Sequence, residues 1–165
     1  MSKLKSLLVL VFMLLTVFII SVPVVAATDL PIPESKSHAV VHHERDILKS
    51  DINGHEIKTR DYLINEWHGE IRDLDNGQVE MYGYTSCNRV CDEVSVQLVL
   101  QQWTGSTWRN LGSYTFVDYN ADYAWGVKTV SVEQGKYYRT KSLHYAEDGS
   151  LIDQTSAITD AIFVE

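Results

Sequence analysis

Cys87 and Cys91 are the residues whose type and spacing most directly suggest chemistry. They are the chain's two cysteines, separated by Asn88-Arg89-Val90. In an exported protein such a pair is expected to close a disulfide. Two cysteines four apart in a straight strand lie too far apart, so the bond requires a bend at Asn88-Arg89. A loop this small removes little unfolded-chain entropy, so its contribution falls below the usual ~2–4 kcal/mol. A thioredoxin-like role would want C-x-x-C at a helix start, and the spacing here is C-x-x-x-C.

Two other clusters carry potential metal ligands. His38, His42, His43 and Glu44 form the densest group. His38 and His42 would share a face if helical, but a zinc-protease helix places Glu directly after the first His, and Ala39 stands there. With Pro31 and Pro33 close by, the segment reads as a solvated, His-bearing linker. Asp118-Tyr119-Asn120-Ala121-Asp122 is a D-x-N-x-D run, offering oxygen ligands at alternate positions as calcium sites do. The sixth position is Tyr123 rather than Gly and the twelfth is Thr129 rather than Glu. An EF-hand is therefore excluded, and Asp118, Asn120 and Asp122 remain weak calcium candidates. The expectation is of no cofactor.

Catalytic constellations are absent from the sequence. There is no G-x-S-x-G and no glycine-rich phosphate loop. His68-Gly69-Glu70 followed by the cysteines imitates a zinc-deaminase signature, but the cysteine spacing is one residue too long and no proline precedes Cys87. His144 shares a strand face with Tyr138, Thr140 and Ser142 and reads as a buried, hydrogen-bonded histidine. The expectation is of a protein that is not an enzyme.

Aromatic residues offer a different chemistry. Four tryptophans and nine tyrosines are many for one small domain; at least half are expected to pack in the core, and those exposed beside polar loops would suit glycan or protein binding. The stretch Val117–Trp125 reads as an inter-strand loop that mixes acceptor side chains with rings. Tyr119, Asp122, Tyr123 and Trp125 are the candidate binding residues.

The elements that must position these residues read as strands. Turn signals punctuate the chain from Arg60 onward. Asp75-Asn76-Gly77 suits a type I′ turn between strands near Trp67–Leu74 and Gln78–Thr85. Thr104–Thr107 should join Glu93–Trp103 to Trp108–Val117, with Trp103 and Trp108 pairing across the hairpin. Gln134-Gly135 should join Val127–Glu133 to Tyr137–Tyr145, and Asp148-Gly149 should turn the chain toward Leu151. Val94, Val96, Leu98 and Leu100 alternate with Ser95, Gln97, Val99 and Gln101, the period of an antiparallel strand. About seven strands over roughly 100 residues predict an all-β, immunoglobulin-like antiparallel sandwich. A tyrosine just after Gln134-Gly135 looks like a tyrosine corner, whose phenol bonds back to nearby backbone.

Ahead of the domain, Lys3 and Lys5 precede an apolar run from Leu7 to Ile20 and the small-residue exit Val24-Val25-Ala26-Ala27. This is the layout of an export signal. The predicted organisation is a signal peptide at 1–26, a linker or pro-segment at 27–59 and the sandwich at 60–165, secreted and free of the membrane after cleavage. Loss of Lys3 and Lys5 takes the formal charge from -8 to about -10. So acidic a protein is a poor partner for a phosphate backbone, and no nucleic-acid partner is expected.

The succession Arg60-Asp61-Tyr62-Leu63, Asn76-Gly77-Gln78-Val79, Thr85-Ser86-Cys87, Leu98–Trp103, Gly105–Trp108 and Tyr137-Tyr138-Arg139 leading to His144 resembles a family of small exported β-sandwich proteins of Gram-positive bacteria whose function is uncharacterised. The resemblance spans Arg60 to Val164 and implies a secreted sandwich; it carries no catalytic residue. The reading that follows is a non-catalytic secreted module that binds an extracellular protein or glycan. The alternative is a secreted inhibitor, immunity or antimicrobial factor, and less favoured is a hydrolase.

Overall fold

The computed structural model describes residues 36–45 and 62–165. The predicted export signal at 1–26, the predicted linker from 27 to 35 and the mixed stretch Asp46–Lys58 lie outside the described residues. Within them the chain is all-β, with seven strands in one antiparallel sheet. These are β1 (His38–Glu44), β2 (Ile64–Asp73), β3 (Gln78–Trp103), β4 (Trp108–Ser131), β5 (Lys136–Asp148), β6 (Leu151–Ile158) and β7 (Ile162–Val164).

The turns fall where turn chemistry puts them. Asp75, Asn76 and Gly77 all take positive φ (66°, 52° and 70°) between β2 and β3, which short polar side chains and glycine tolerate best. Residues 104–107 join β3 to β4, and Trp103 faces Trp108 with ring centroids 5.4 Å apart. Tyr138 is fully buried and its Oη donates to Glu133 O at 2.7 Å, the back-bond expected of a tyrosine corner.

β3 and β4 are far longer than their sequence suggests. Cys87–Cys91 and Asp118–Asp122 each read as a break, yet they oppose one another in the same hairpin. The β3–β4 register jumps from Ser86↔Tyr123 to Cys91↔Ala121, so three extra residues of β3 bulge out. Asn120 takes φ 52° at the same level. A bulge bends both strands without ending their pairing. The first half of β3 pairs with β2 and the second half with β5, so the sheet curls at this bend and faces itself. A Cβ placed on Gly83 in the first half would lie 2.8 Å from Leu98 Cδ2 in the second.

The curl encloses the core. Ile71, Val79 and Met81 from one half pack with Val96, Leu98, Leu100, Tyr138, Ile162 and Val164 from the other. The second cluster, Leu63, Ile64, Cys87, Cys91, Val94, Ala124 and Ala146, fills the bend.

Two expectations are corrected here. The segment His38–Glu44 is not linker but an edge strand, paired with β2 along its whole length from His38↔Arg72 to Glu44↔Glu66. Its polar sequence hides this because one face is solvated and the pairing partner is non-local. Arg45 fixes its end: the guanidinium lies 2.6 Å from Asp153 Oδ2, an oxygen that also accepts the Leu63 and Ile64 amides. The cysteines are the second correction. Cys87 and Cys91 are both free and buried, sitting as thiols at either end of the bulge. That bulge supplies the bend the pair requires, yet the sulfurs stay unbonded.

Candidate functional site

Alternation along a strand sends successive side chains to opposite faces. In the β1-β2-β3-β4 half of the sheet one face carries the core, and the register decides what the other carries. Four rungs cross it. Glu44, Glu66 and Ser86 lead to Tyr123. His42, His68 and Tyr84 lead to Trp125. Val40, Glu70 and Tyr82 lead to Val127. His38, Arg72 and Glu80 lead to Thr129. The result is a platform of imidazole, phenol and indole rings bordered by carboxylates.

The rings touch one another across strands. His68 stacks on Tyr84 with centroids 5.1 Å apart and planes 6° from parallel. Tyr84 meets Tyr123 at 5.3 Å and Tyr82 meets Trp125 at 6.4 Å. His42 lies 6.0 Å from His68. Cross-strand ring pairs of this kind stiffen a sheet face and hold its rings in place. Trp125 nevertheless remains 53% exposed and Tyr123 39% exposed.

Polar groups thread between the rings. Tyr84 Oη donates to Glu66. His38 Nε2 lies 2.7 Å from Glu70, Arg72 2.9 Å and His68 3.4 Å. Burial opposes ionisation of Glu70, but its bonds to His38, His68 and Arg72 outweigh that and hold the carboxyl below its ordinary range. Burial, reinforced by the Glu66 hydrogen bond, pushes the Tyr84 phenol well above its ordinary value, and burial with the Tyr82 hydroxyl does the same to Tyr123. These phenols are held protonated near neutral pH. Tyr84 spends its proton on Glu66; both rings offer flat faces, and neither phenol is poised as a nucleophile.

The four candidate binding residues all lie on β4, not in a loop, and the structure divides them. Tyr123 and Trp125 join the platform. Asp122 projects to the opposite face by strand alternation. Tyr119, 66% exposed, lies beyond the bend, opposite Glu93. Asp118, Asn120 and Asp122 are spread along β4 across the Asn120 kink, and among the described residues no three His, Cys, Asp or Glu side chains converge to hold an ion. His42, His68, Tyr82, Tyr84, Glu66 and Glu70 were not singled out as binding residues from sequence. The signal was present in the period-two runs Glu66-x-His68-x-Glu70 and Tyr82-x-Tyr84, which place polar rings on one face.

His144 is buried on β5, as its strand face suggested, and belongs to a closed network away from this platform. Its Nδ1 lies 2.9 Å from Thr85 Oγ1 and its Nε2 2.9 Å from Ser142 Oγ.

The chain matches no protein-family model and no curated protein.

Proposed function

We propose that the protein is an exported, non-catalytic binding module whose outer β1–β4 face takes up an extracellular glycan. The observation that carries this reading is the ring platform His42–His68–Tyr84–Trp125, flanked by Tyr82 and Tyr123 and edged by Glu66 and Glu70. The C–H faces of a pyranose pack on exposed aromatic rings, while its hydroxyls both donate and accept. The face supplies matching partners: carboxylates and phenol oxygens that accept, and the Arg72 guanidinium that donates. A flat, pre-stiffened surface also loses little side-chain entropy on binding.

The tyrosine-corner bond of Tyr138 is a feature shared with immunoglobulin-like domains, while the seven antiparallel strands form one curled sheet rather than two stacked ones. The export signal and the likeness to small exported Gram-positive proteins support an extracellular setting.

The test is titration with a panel of soluble oligosaccharides, read by tryptophan fluorescence and calorimetry. Tyr82→Ala and Trp125→Ala should each weaken binding at least about tenfold, which is ~1.4 kcal/mol. Tyr119→Ala, across the bend, should leave binding unchanged. If no sugar binds but an extracellular protein does, with the same two variants failing, the occupant is protein. If the variants bind like the parent, the site is elsewhere.

A further inference from the structure

β4 is hydrogen-bonded to β3 along one side, and among the described residues no strand pairs with its other side. An edge of this length is a ready template for another strand. Edges are normally protected by proline, by charged side chains, inward-pointing ones included, or by bulges, and a charge protects only where the approaching strand does not bring its opposite. The run Ala121–Ser131 contains no proline, and Tyr123–Ser131 is laddered to β3 without a register shift. Its outer face presents Tyr123, Trp125 and Val127 in alternation, all exposed. Its charges are Asp122 and Lys128, both on the opposite face and both exposed.

These features are self-complementary. We propose that the β4 edge is completed by a second copy of the chain, the two β4 strands running antiparallel about a two-fold axis at Trp125. In that register Tyr123 of each copy faces Val127 of the other, and Asp122 of each faces Lys128 of the other. A two-fold axis perpendicular to the sheet keeps like faces together, so only shifts that preserve side-chain parity are allowed. Moving the axis one residue either way sets Lys128 against Asn120 or Ala124 and loses both charge pairs. Setting the axis at Tyr123 recovers charge pairing with Asp118 only by crossing the kink at Asn120, whose φ of 52° interrupts the strand. The Trp125 register is the one that keeps both charge pairs within the regular run. The contact is isologous and closes on itself, so it gives a dimer rather than a filament. Because the strands join edge to edge, the ring platforms of both copies lie on one side and stay open. The inference stands on the edge and its charges, independently of what the platform binds.

The full chain is expressed, and the protein the host yields, processed or not, is followed by sedimentation velocity over a concentration series. The parent should pass from monomer to dimer as concentration rises. Asp122→Lys and Lys128→Asp, each setting like charges opposite one another, should each raise the midpoint at least about tenfold, equivalent to ~1.4 kcal/mol. The double variant D122K/K128D should restore the parent midpoint. A Trp125→Cys variant should be captured as a covalent dimer by a short thiol cross-linker. A monomer at every concentration, a dimer indifferent to both single reversals, a double variant that fails to restore association, or an uncaptured Trp125→Cys variant overturns the proposal.

Discussion

Thr85 Oγ1 donates its one proton to Ser95 O at 2.8 Å, so it can only accept from His144 Nδ1, 2.9 Å away. This relationship fixes the state of a buried imidazole. His144 must carry its proton on Nδ1, which leaves Nε2 as acceptor for the Ser142 hydroxyl at 2.9 Å. All three side chains are buried. The network joins the first half of β3 to β5, and so ties the two halves of the curled sheet by groups that are satisfied only in this register.

A pH dependence follows with a definite sign. Burial, with the neighbouring His68 and His43 imidazoles, pushes His144 down to about 3 from its ordinary 6.5. Above pH 6.5 it is neutral whether folded or unfolded, and its contribution is intact. As pH falls below 6.5 the unfolded chain takes up a proton that the folded chain refuses, so stability drops down to the folded value near 3. At pH 5 the loss is about 2 kcal/mol. Urea melts at pH 7.5 and pH 5 should show it, and His144→Gln should show a smaller difference between the two. Equal pH differences in parent and variant would rule out this residue as the cause.

Tyr138 gives a second prediction. Its Oη donates to Glu133 O at 2.7 Å and accepts from Gln102 Nε2 at 3.1 Å. Tyr138→Phe keeps the ring and leaves a carbonyl and an amide short of a partner. The expected loss is about 1–2 kcal/mol in chemical denaturation. Ligand binding at the platform should be untouched, because β5 does not reach that face.

The turns were legible because they are local. Asp75-Asn76-Gly77 announces positive φ from its own side chains, and Val94 to Leu100 announces its buried face by alternation. What escaped sequence reading is non-local. Asn88-Arg89 and Asn120-Ala121 each look like the end of a strand, and only the β3–β4 pairing that resumes on either side of them makes the site a bulge within one hairpin. His38–Glu44 lacks a hydrophobic pattern, and its strand exists because β2 offers it an edge. The platform follows the same rule. Trp125 and Tyr123 stood out by residue type, whereas His68 and Tyr84 acquire meaning only when the register sets them in the same rung.

The cysteines yield a third prediction. Burial first, then the adjacent Cys91, pushes the Cys87 thiol far above its ordinary range, and burial raises Cys91 as well. Alkylation needs an accessible thiolate. Neither cysteine should label at neutral pH in the folded protein, and both should label once it is unfolded in urea without reductant. Failure to label after unfolding would mean the sulfurs are bonded.

The fourth prediction concerns the inside of the bend in β4. A Cβ on Gly126 would fall 2.0 Å from Cδ2 of Phe116, a residue ten positions earlier in the same strand. The ring covers the glycine because the kink at Asn120 brings the two halves of β4 over one another, and hydrogen is the only side chain the gap admits. Gly126→Ala must therefore displace the Phe116 ring or open the bend, at a cost of about 1–3 kcal/mol. Phe116→Ala removes the obstacle at its own cost in lost packing. If the clash is the cause, the two changes are coupled: the double variant should be more stable than the sum of the single losses allows, by at least about 0.5 kcal/mol. Strict additivity in thermal and urea melts would show that the glycine is needed for some other reason, and that the curl does not depend on this contact.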